Sequence, residues 1–401
     1  MRTLDPTARK LRIMHVLRAP LGGLFRHVVD LTRAQVERGH EVGLITDSTT
    51  GGDRAAEVLA QLAPMLALGV MRAPMRRLPH LSPIFTTFSK VMSRASASMQ
   101  PDVVHGHGSK GGLYARMSGF APGATRAVRA YTPHGGSFNY KPGSVPHHVF
   151  MAIEKLLDRR TDIFLFESAY IQGRFHAYVG DTSAMTRVIL NGISPAELMP
   201  VATAPNPTKF LYVGELRAAK GIDTLIAALA QLSRRSRERP RLTLVGSGPD
   251  QEQLTNQARA LGVADLVTFA GAMPARAAFA LGEILVVPSR AESLPYIVIE
   301  AAGAHLPMVA TNVGGMGEIF GPFRHRLIPC NEVNILADAM ESAVNKEPAT
   351  LRAEAGELAD FVATNFTVAG MAEAVILGYR EAMAARLGQV YRSPAPAAPA
   401  T

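Results

Sequence analysis

Leu11-Arg12-Ile13-Met14-His15-Val16-Leu17, then Gly22-Gly23, then a helical apolar pattern over residues 24–38 closed by Gly39, decides the fold class. The first run reads as a buried strand, the glycine pair as a tight turn, and the third stretch as an amphipathic helix. Residues 41–46 follow as a second short apolar strand. Parallel neighbours need a crossover, and a helix supplies one, so this alternation marks a parallel α/β layer. Further strands are expected at residues 102–105, 127–132, 163–167 and 187–190. The first of these runs into Gly106, Gly108, Gly111 and Gly112, the second into Pro133-His134-Gly135-Gly136.

Periodicity fades over residues 195–207, where Pro195, Pro200, Pro205 and Pro207 mark a linker. The pattern then restarts. A strand at 210–213, a loop from Gly214 to Gly221, a helix over 222–232 and strands at 241–245, 266–269, 284–287 and 307–310 make a second α/β unit. Two units agree with 401 residues at roughly 150 per domain. The expected division is 1–198 and 206–365, with a helix over 366–386 packing back on the first unit. Residues 387–401, ending Ser393-Pro394-Ala395-Pro396-Ala397-Ala398-Pro399, read as a disordered tail without the apolar mass to pack.

Composition narrows the function classes. Apolar residues make up 47%, enough for sizeable cores, and the single cysteine, Cys330, cannot form an internal disulfide. No run approaches the roughly 18 apolar residues that cross a bilayer. No signal-type segment follows the polar start, so cytoplasmic residence is the expectation. Residues 1–200 hold 24 basic and 14 acidic side chains, and residues 201–401 hold 18 and 19. The whole positive excess therefore lies in the first half, a field suited to a polyanion or an anionic membrane surface. Residues 64–99 add to it: Arg72, Arg76, Arg77, Lys90 and Arg94 alternate with leucine, methionine and phenylalanine, with no acidic residue. That mixture suits an interfacial element, and equally a solvated helix face over a packed one.

Gly22-Gly23, Gly135-Gly136, Gly246-Ser247-Gly248 and Gly314-Gly315 each lie near a strand end, the edge where open α/β sheets bind ligands. The dinucleotide fingerprint fails, because Gly246-Ser247-Gly248 lacks its third glycine. No phosphate-loop run ending in Gly-Lys-Ser or Gly-Lys-Thr occurs. Hydride-transfer and nucleoside-triphosphatase readings therefore drop. In Gly214-Glu215-Leu216-Arg217-Ala218-Ala219-Lys220-Gly221, two cations three residues apart could neutralise a leaving diphosphate. In Pro288-Ser289-Arg290-Ala291-Glu292-Ser293-Leu294-Pro295-Tyr296-Ile297-Val298-Ile299-Glu300, two carboxylates stand eight residues apart and could grip sugar hydroxyls. Read alone, solvated charges and a helix cap explain these four residues as well.

Together these segments resemble the family 4 retaining glycosyltransferases. The Glu292-x7-Glu300 run carries the resemblance, with Ala301-Ala302-Gly303 and Val309-Ala310-Thr311-Asn312-Val313-Gly314-Gly315 after it. So do Leu211-Tyr212-Val213-Gly214, Gly246-Ser247-Gly248-Pro249, Arg38-Gly39-His40-Glu41-Val42, Asp102-Val103-Val104-His105-Gly106-His107 and Tyr131-Thr132-Pro133-His134-Gly135. The resemblance implies a GT-B fold, two Rossmann-like domains facing across a cleft, with the donor on the second and most of the acceptor on the first. Carried over, Arg217 and Lys220 contact the donor diphosphate, and Glu300 the nucleotide ribose. Glu292 lies by the transferred sugar, with the amides of Ser293 and Leu294 beside it. Gly22, Gly23, Gly214 and Gly246 line the donor site, and His134 lies near the reacting centre. The donor is a UDP- or GDP-sugar, and no cofactor or metal is expected.

The first half looks most like transferases of bacterial surface polysaccharides. The implied acceptor is therefore a glycan or a polyprenyl-diphosphate-linked one, met at the inner face of the cytoplasmic membrane. Ser293-Leu294-Pro295 departs from the glycine-aromatic-glycine usual after the first glutamate, which leaves the sugar open. A zinc site is not expected, since neither His105-x-His107 nor His147-His148 supplies a third ligand. Nucleic-acid binding is disfavoured by the lack of tryptophan and of any recognised motif. A non-catalytic scaffold and a nucleotide-sugar epimerase of the same fold remain the other readings.

Overall fold

The computed structural model describes residues 9–75, 99–117, 127–236 and 238–388. The chain forms two compact units, one of Met1–Leu190 with Val368–Thr401, the other of Asn191–Thr367. Residues 191–198, expected with the first unit, belong to the second: the Ile193 amide donates to the Phe366 carbonyl, and Ile193 bridges Thr367 in parallel.

The first unit is built on β1 (Arg12–Leu17), β2 (Glu41–Asp47), β3 (Val70–Ala73), β4 (Val103–His107), β5 (Val128–Thr132), β6 (Ile163–Phe166) and β7 (Met185–Val188). They form one parallel sheet in the order β3-β2-β1-β4-β5-β6-β7. Helix Gly22–Glu37 makes the first crossover and buries Phe25, Val28, Leu31 and Ala34. Helix Val368–Arg386 completes a core with Leu11, Ile13, Val128 and Ile163, contributing Met371, Val375, Ile376 and Tyr379. At about 1.5–3 kcal/mol for each large apolar side chain fully buried, it is a structural part of this unit.

The second unit carries β8 (Thr208–Val213), β9 (Leu242–Val245), β10 (Val267–Gly271), β11 (Gly282–Val287) and β12 (Met308–Ala310), all parallel, in the order β10-β9-β8-β11-β12. Helix Ile222–Arg235 seals one face, with Leu225, Ile226 and Leu229 against Phe210, Leu242 and Ile284. In both units the chain first builds outward on one side and then returns to the other side of its starting strand. The reversal falls between β1 and β4 and between β8 and β11. A crevice opens at the carboxyl ends of strands at such a reversal, because the flanking loops diverge there.

The strand β3 interrupts the basic, apolar stretch at residues 64–99. Leu66, Leu68, Ala73 and Met75 are buried in the core, and the Arg72 guanidinium donates to the Asp47 and Thr50 carbonyls. Those side chains serve the core and the sheet edge; the rest of that stretch, 76–98, lies outside the described residues, as does the tail from 389. Among the described residues no helix is long and apolar enough to cross a membrane.

Candidate functional site

In the second unit the loops after β8 and β11 meet. Lys220 closes the short turn Ala218–Lys220, and its Nζ donates to Glu292 Oε1 at 2.6 Å. The Ser289 hydroxyl donates to the same oxygen at 2.7 Å. Both charges are largely out of water, with side-chain exposures of 18% for Lys220 and 9% for Glu292. Arg290 ties the two loops: its amide donates to the Ala219 carbonyl at 2.9 Å and its guanidinium to Asp223 Oδ2 at 2.6 Å. Burial and the neighbouring Glu292 carboxylate push the Tyr212 phenol up, so it stays protonated and donates to the Glu215 carbonyl at 3.0 Å.

Glycine allows the loops to lie this close. A Cβ on Gly221 would sit 2.1 Å from the Pro288 carbonyl oxygen, and one on Gly314 would sit 1.7 Å from that of Glu292, at a φ of +56°. Gly246 is similarly closed off, 1.8 Å from the Gly214 carbonyl oxygen, so its missing side chain serves loop-to-loop packing. Gly314→Ala is expected to displace the Glu292 loop and destabilise the second unit, read as a lower urea midpoint than that of the wild type.

The structure brings Lys220 and Glu292 together, 72 positions apart in the chain. Arg217 is in the same loop, but its guanidinium is half exposed and pairs with Glu215 at 2.9 Å. Glu300 lies in helix Tyr296–Gly303; only the second half of the Glu292–Glu300 interval is helical. Ser293 and Leu294 give their carbonyls to the Gly315 amide at 2.8 Å and to Asn191 Nδ2 at 2.9 Å. Ser289 and Arg290 are the site residues that the sequence reading passed over; they stand in the same quoted run, but nothing local says that they face Glu292 and Asp223.

In the first unit Gly22 opens helix Gly22–Glu37, whose N-terminus has no side-chain cap, and Gly22-Gly23 are exposed just past β1. His134 follows β5. Its backbone takes a left-handed φ of +52°, rare outside glycine, and its amide donates to Glu167 Oε2 at 3.0 Å. The loop carrying it rests on a buried ion pair. Arg116 and Glu154 meet at 2.8 Å with the Arg116 guanidinium 3.8 Å from the Tyr131 ring centroid, and Glu154 accepts from the Tyr131 hydroxyl and Ser137.

Around His134 the structure gathers His15, His27, His105 and His107. His105 is buried in the middle of β4, opposite His15 on β1 in the sheet register, and bonds both Tyr379 and Thr132. A third histidine does join His105 and His107, since His15 offers a ring nitrogen within 4.8 Å of theirs. The pattern of spacing could not show it, because β1 and β4 are some ninety residues apart.

Burial holds His15 down to about 4, and burial with the neighbouring rings holds His105, His107 and His134 well below the usual histidine range. All four are neutral in the folded chain at pH 7. The unfolded chain takes up their protons first, near 6.5, so stability is full above that pH and falls as pH drops toward the folded values. His15 alone accounts for about 3 kcal/mol of loss between pH 6.5 and 4. Urea titrations at pH 7.5 and 5 are expected to show the first unit's transition moving to lower denaturant; an unmoved transition would contradict neutral burial.

The family description "Glycosyltransferase Family 4" matches residues 21–197 and "Glycosyl transferases group 1" matches residues 197–359. The chain is 29% identical to glycogen synthase of Mycobacterium tuberculosis, over 74% of this chain and 76% of that protein. Among solved structures, sucrose-phosphate synthase from Thermosynechococcus elongatus superposes with a TM-score of 0.76 at 22% identity, covering 93% of this chain and 100% of that one. The Anabaena protein HepE in complex with UDP-glucose gives 0.71 at 19%, covering 94% and 99%. The two α/β units are thus those of the GT-B class, and the chain belongs to the family 4, group 1 glycosyltransferases.

Proposed function

We propose that this glycosyltransferase moves a sugar, with retention of anomeric configuration, from a UDP- or GDP-sugar to a glycan or polyprenyl-diphosphate-linked acceptor. We assign it to surface polysaccharide synthesis at the inner face of the cytoplasmic membrane. The observation that carries the reading is the Lys220–Glu292 pair at the carboxyl ends of β8 and β11, the strands flanking the order reversal. HepE in complex with UDP-glucose supports the nucleotide-sugar donor. The basic excess of the first half supports an anionic membrane or diphosphate acceptor.

In the proposed step the bond from the anomeric carbon to the diphosphate oxygen breaks. The acceptor oxygen bonds to the same face, and its proton passes to the departing diphosphate. No enzyme nucleophile is needed. The demand on the protein is to stabilise charge building on the leaving group, which Lys220 and Arg217 supply as fixed cations. Glu292 holds Lys220 and receives sugar hydroxyls on its remaining acceptor positions, Glu300 binds the ribose, and His134 contacts the sugar.

The test is incubation of the purified enzyme with radiolabelled UDP- and GDP-sugars and a membrane lipid extract, with and without EDTA. Label is expected in the lipid fraction for one donor, undiminished by EDTA. Free sugar or an epimer without transfer would sink the reading, and loss of transfer with EDTA would sink the metal-independent mechanism.

A further inference from the structure

The histidines around His134 form a chain. Gln35 Oε1 lies 2.8 Å from His15 Nε2, His15 Nδ1 lies 2.9 Å from His107 Nε2, and His107 Nδ1 lies 3.1 Å from His134 Nε2. Gln35, His15 and His107 are buried, at 0–1% exposure. A second chain runs beside it: the Tyr379 hydroxyl lies 2.7 Å from His105 Nδ1, and His105 Nε2 lies 2.9 Å from Thr132 Oγ1, so both nitrogens of His105 are engaged.

A neutral imidazole has one N–H and one bare nitrogen. With Gln35 Oε1 facing His15 and Gln35 Nε2 buried without a hydrogen-bond partner among the described residues, His15 donates from Nε2 to Gln35 and its Nδ1 is bare. His107 must then donate to that nitrogen from Nε2, which leaves its own Nδ1 bare. His134 in turn donates from Nε2. One acceptor, 99 residues from His134 in the chain, thereby settles the proton position on three rings. With Gln35 in that orientation the chain leaves His134 Nδ1 unprotonated, and among the described residues no hydrogen bond reaches it. The left-handed backbone at His134, held by Glu167, stores about 1 kcal/mol or more to keep the ring there.

We propose that Gln35, His15 and His107 are positioning residues that fix the tautomer of His134, so that it meets the substrate with a bare Nδ1 and accepts a hydrogen bond from a sugar hydroxyl. This rests on the reading of His134 as the ring beside the reacting sugar. A ring of this polarity cannot donate from Nδ1 to a phosphate oxygen, so the group it selects is a hydroxyl. The nitrogens of His15, His105 and His107, and those of His27, His107 and His134, also lie within 4.8 Å of one another. Both nitrogens of His105 are engaged by Tyr379 and Thr132, however, and those of His107 by His15 and His134, so the rings are taken as a hydrogen-bonded chain and zinc is left as an outcome of the test.

The test is ring-nitrogen NMR of the full-length wild type labelled with 15N-histidine at pH 7, the His134 signals being those absent from His134→Ala. Nε2 of His134 is expected to be protonated and Nδ1 bare. In Gln35→Met the tautomers of His15, His107 and His134 are expected to redistribute, with kcat/KM for sugar transfer falling about tenfold. A proton on His134 Nδ1 in the wild type, a charged ring there, or unchanged tautomers in Gln35→Met overturns the proposal. So does one equivalent of zinc retained by the wild type after zinc incubation and dialysis but not by His15→Ala. The wild-type spectrum keeps the proposal testable even if Gln35→Met fails to fold. Wild-type transfer rates in His134→Ala would instead overturn the reading of this ring as a substrate contact, a failure seen in activity and not in the spectrum.

Discussion

Lys220→Met is expected to slow sugar transfer by about 10²- to 10³-fold, with kcat and kcat/KM falling together. The size follows from where the cation stands. Its Nζ is held at 2.6 Å by a carboxylate that is itself fixed by Ser289, so the fold orients it in advance for the role proposed above. Methionine keeps the aliphatic stem and removes the charge, which limits the structural damage. Arg217→Met is expected to cost less, because its guanidinium is half exposed and shared with Glu215. Initial rates at saturating donor measure both. Full activity in Lys220→Met would remove the proposed mechanism, since no other described residue pairs a cation with Glu292.

Arg116→Met is expected to destabilise the first unit by about 3–5 kcal/mol, because Glu154 would be left charged and buried without its partner. Tyr131 and Ser137 donate to Glu154 but carry no charge to offset it. The double variant Arg116→Met/Glu154→Leu is expected to recover most of the loss, since it buries no ion at all. Urea denaturation of the three proteins gives the comparison, read on the transition of the first unit. A single variant as stable as the wild type would show that the pair is not isolated from water. Activity is expected to fall in the single variant as well, because the same network underlies the loop carrying His134.

The parallel α/β layers were legible because their strands are continuous apolar runs such as residues 11–17 and 284–287, bounded by glycine. β3 was not: Val70-Met71-Arg72-Ala73 is short and carries an arginine, and only its pairing with β2 makes it a strand. Lys220 and Glu292 could be named through the family resemblance, but their contact could not, since it depends on two loops meeting across the sheet. Ser289 and Arg290 were hidden for the same reason. The histidines failed differently. Each was visible, yet the register that sets His15 opposite His105 is a property of the folded sheet, and spacing along one strand carries no trace of its neighbour.

The connectivity of the chain has a consequence for its synthesis. The second unit is one uninterrupted segment whose two ends run side by side at Ile193 and Thr367, so it can fold as soon as it clears the ribosome. The first unit waits. Met371, Val375, Ile376 and Tyr379 fill a core begun by Leu11 and Ile13, so translation must pass Tyr379 before that core can close. Until then a sheet face made early stays uncovered, and this nascent species is the one most exposed to aggregation and to chaperone capture.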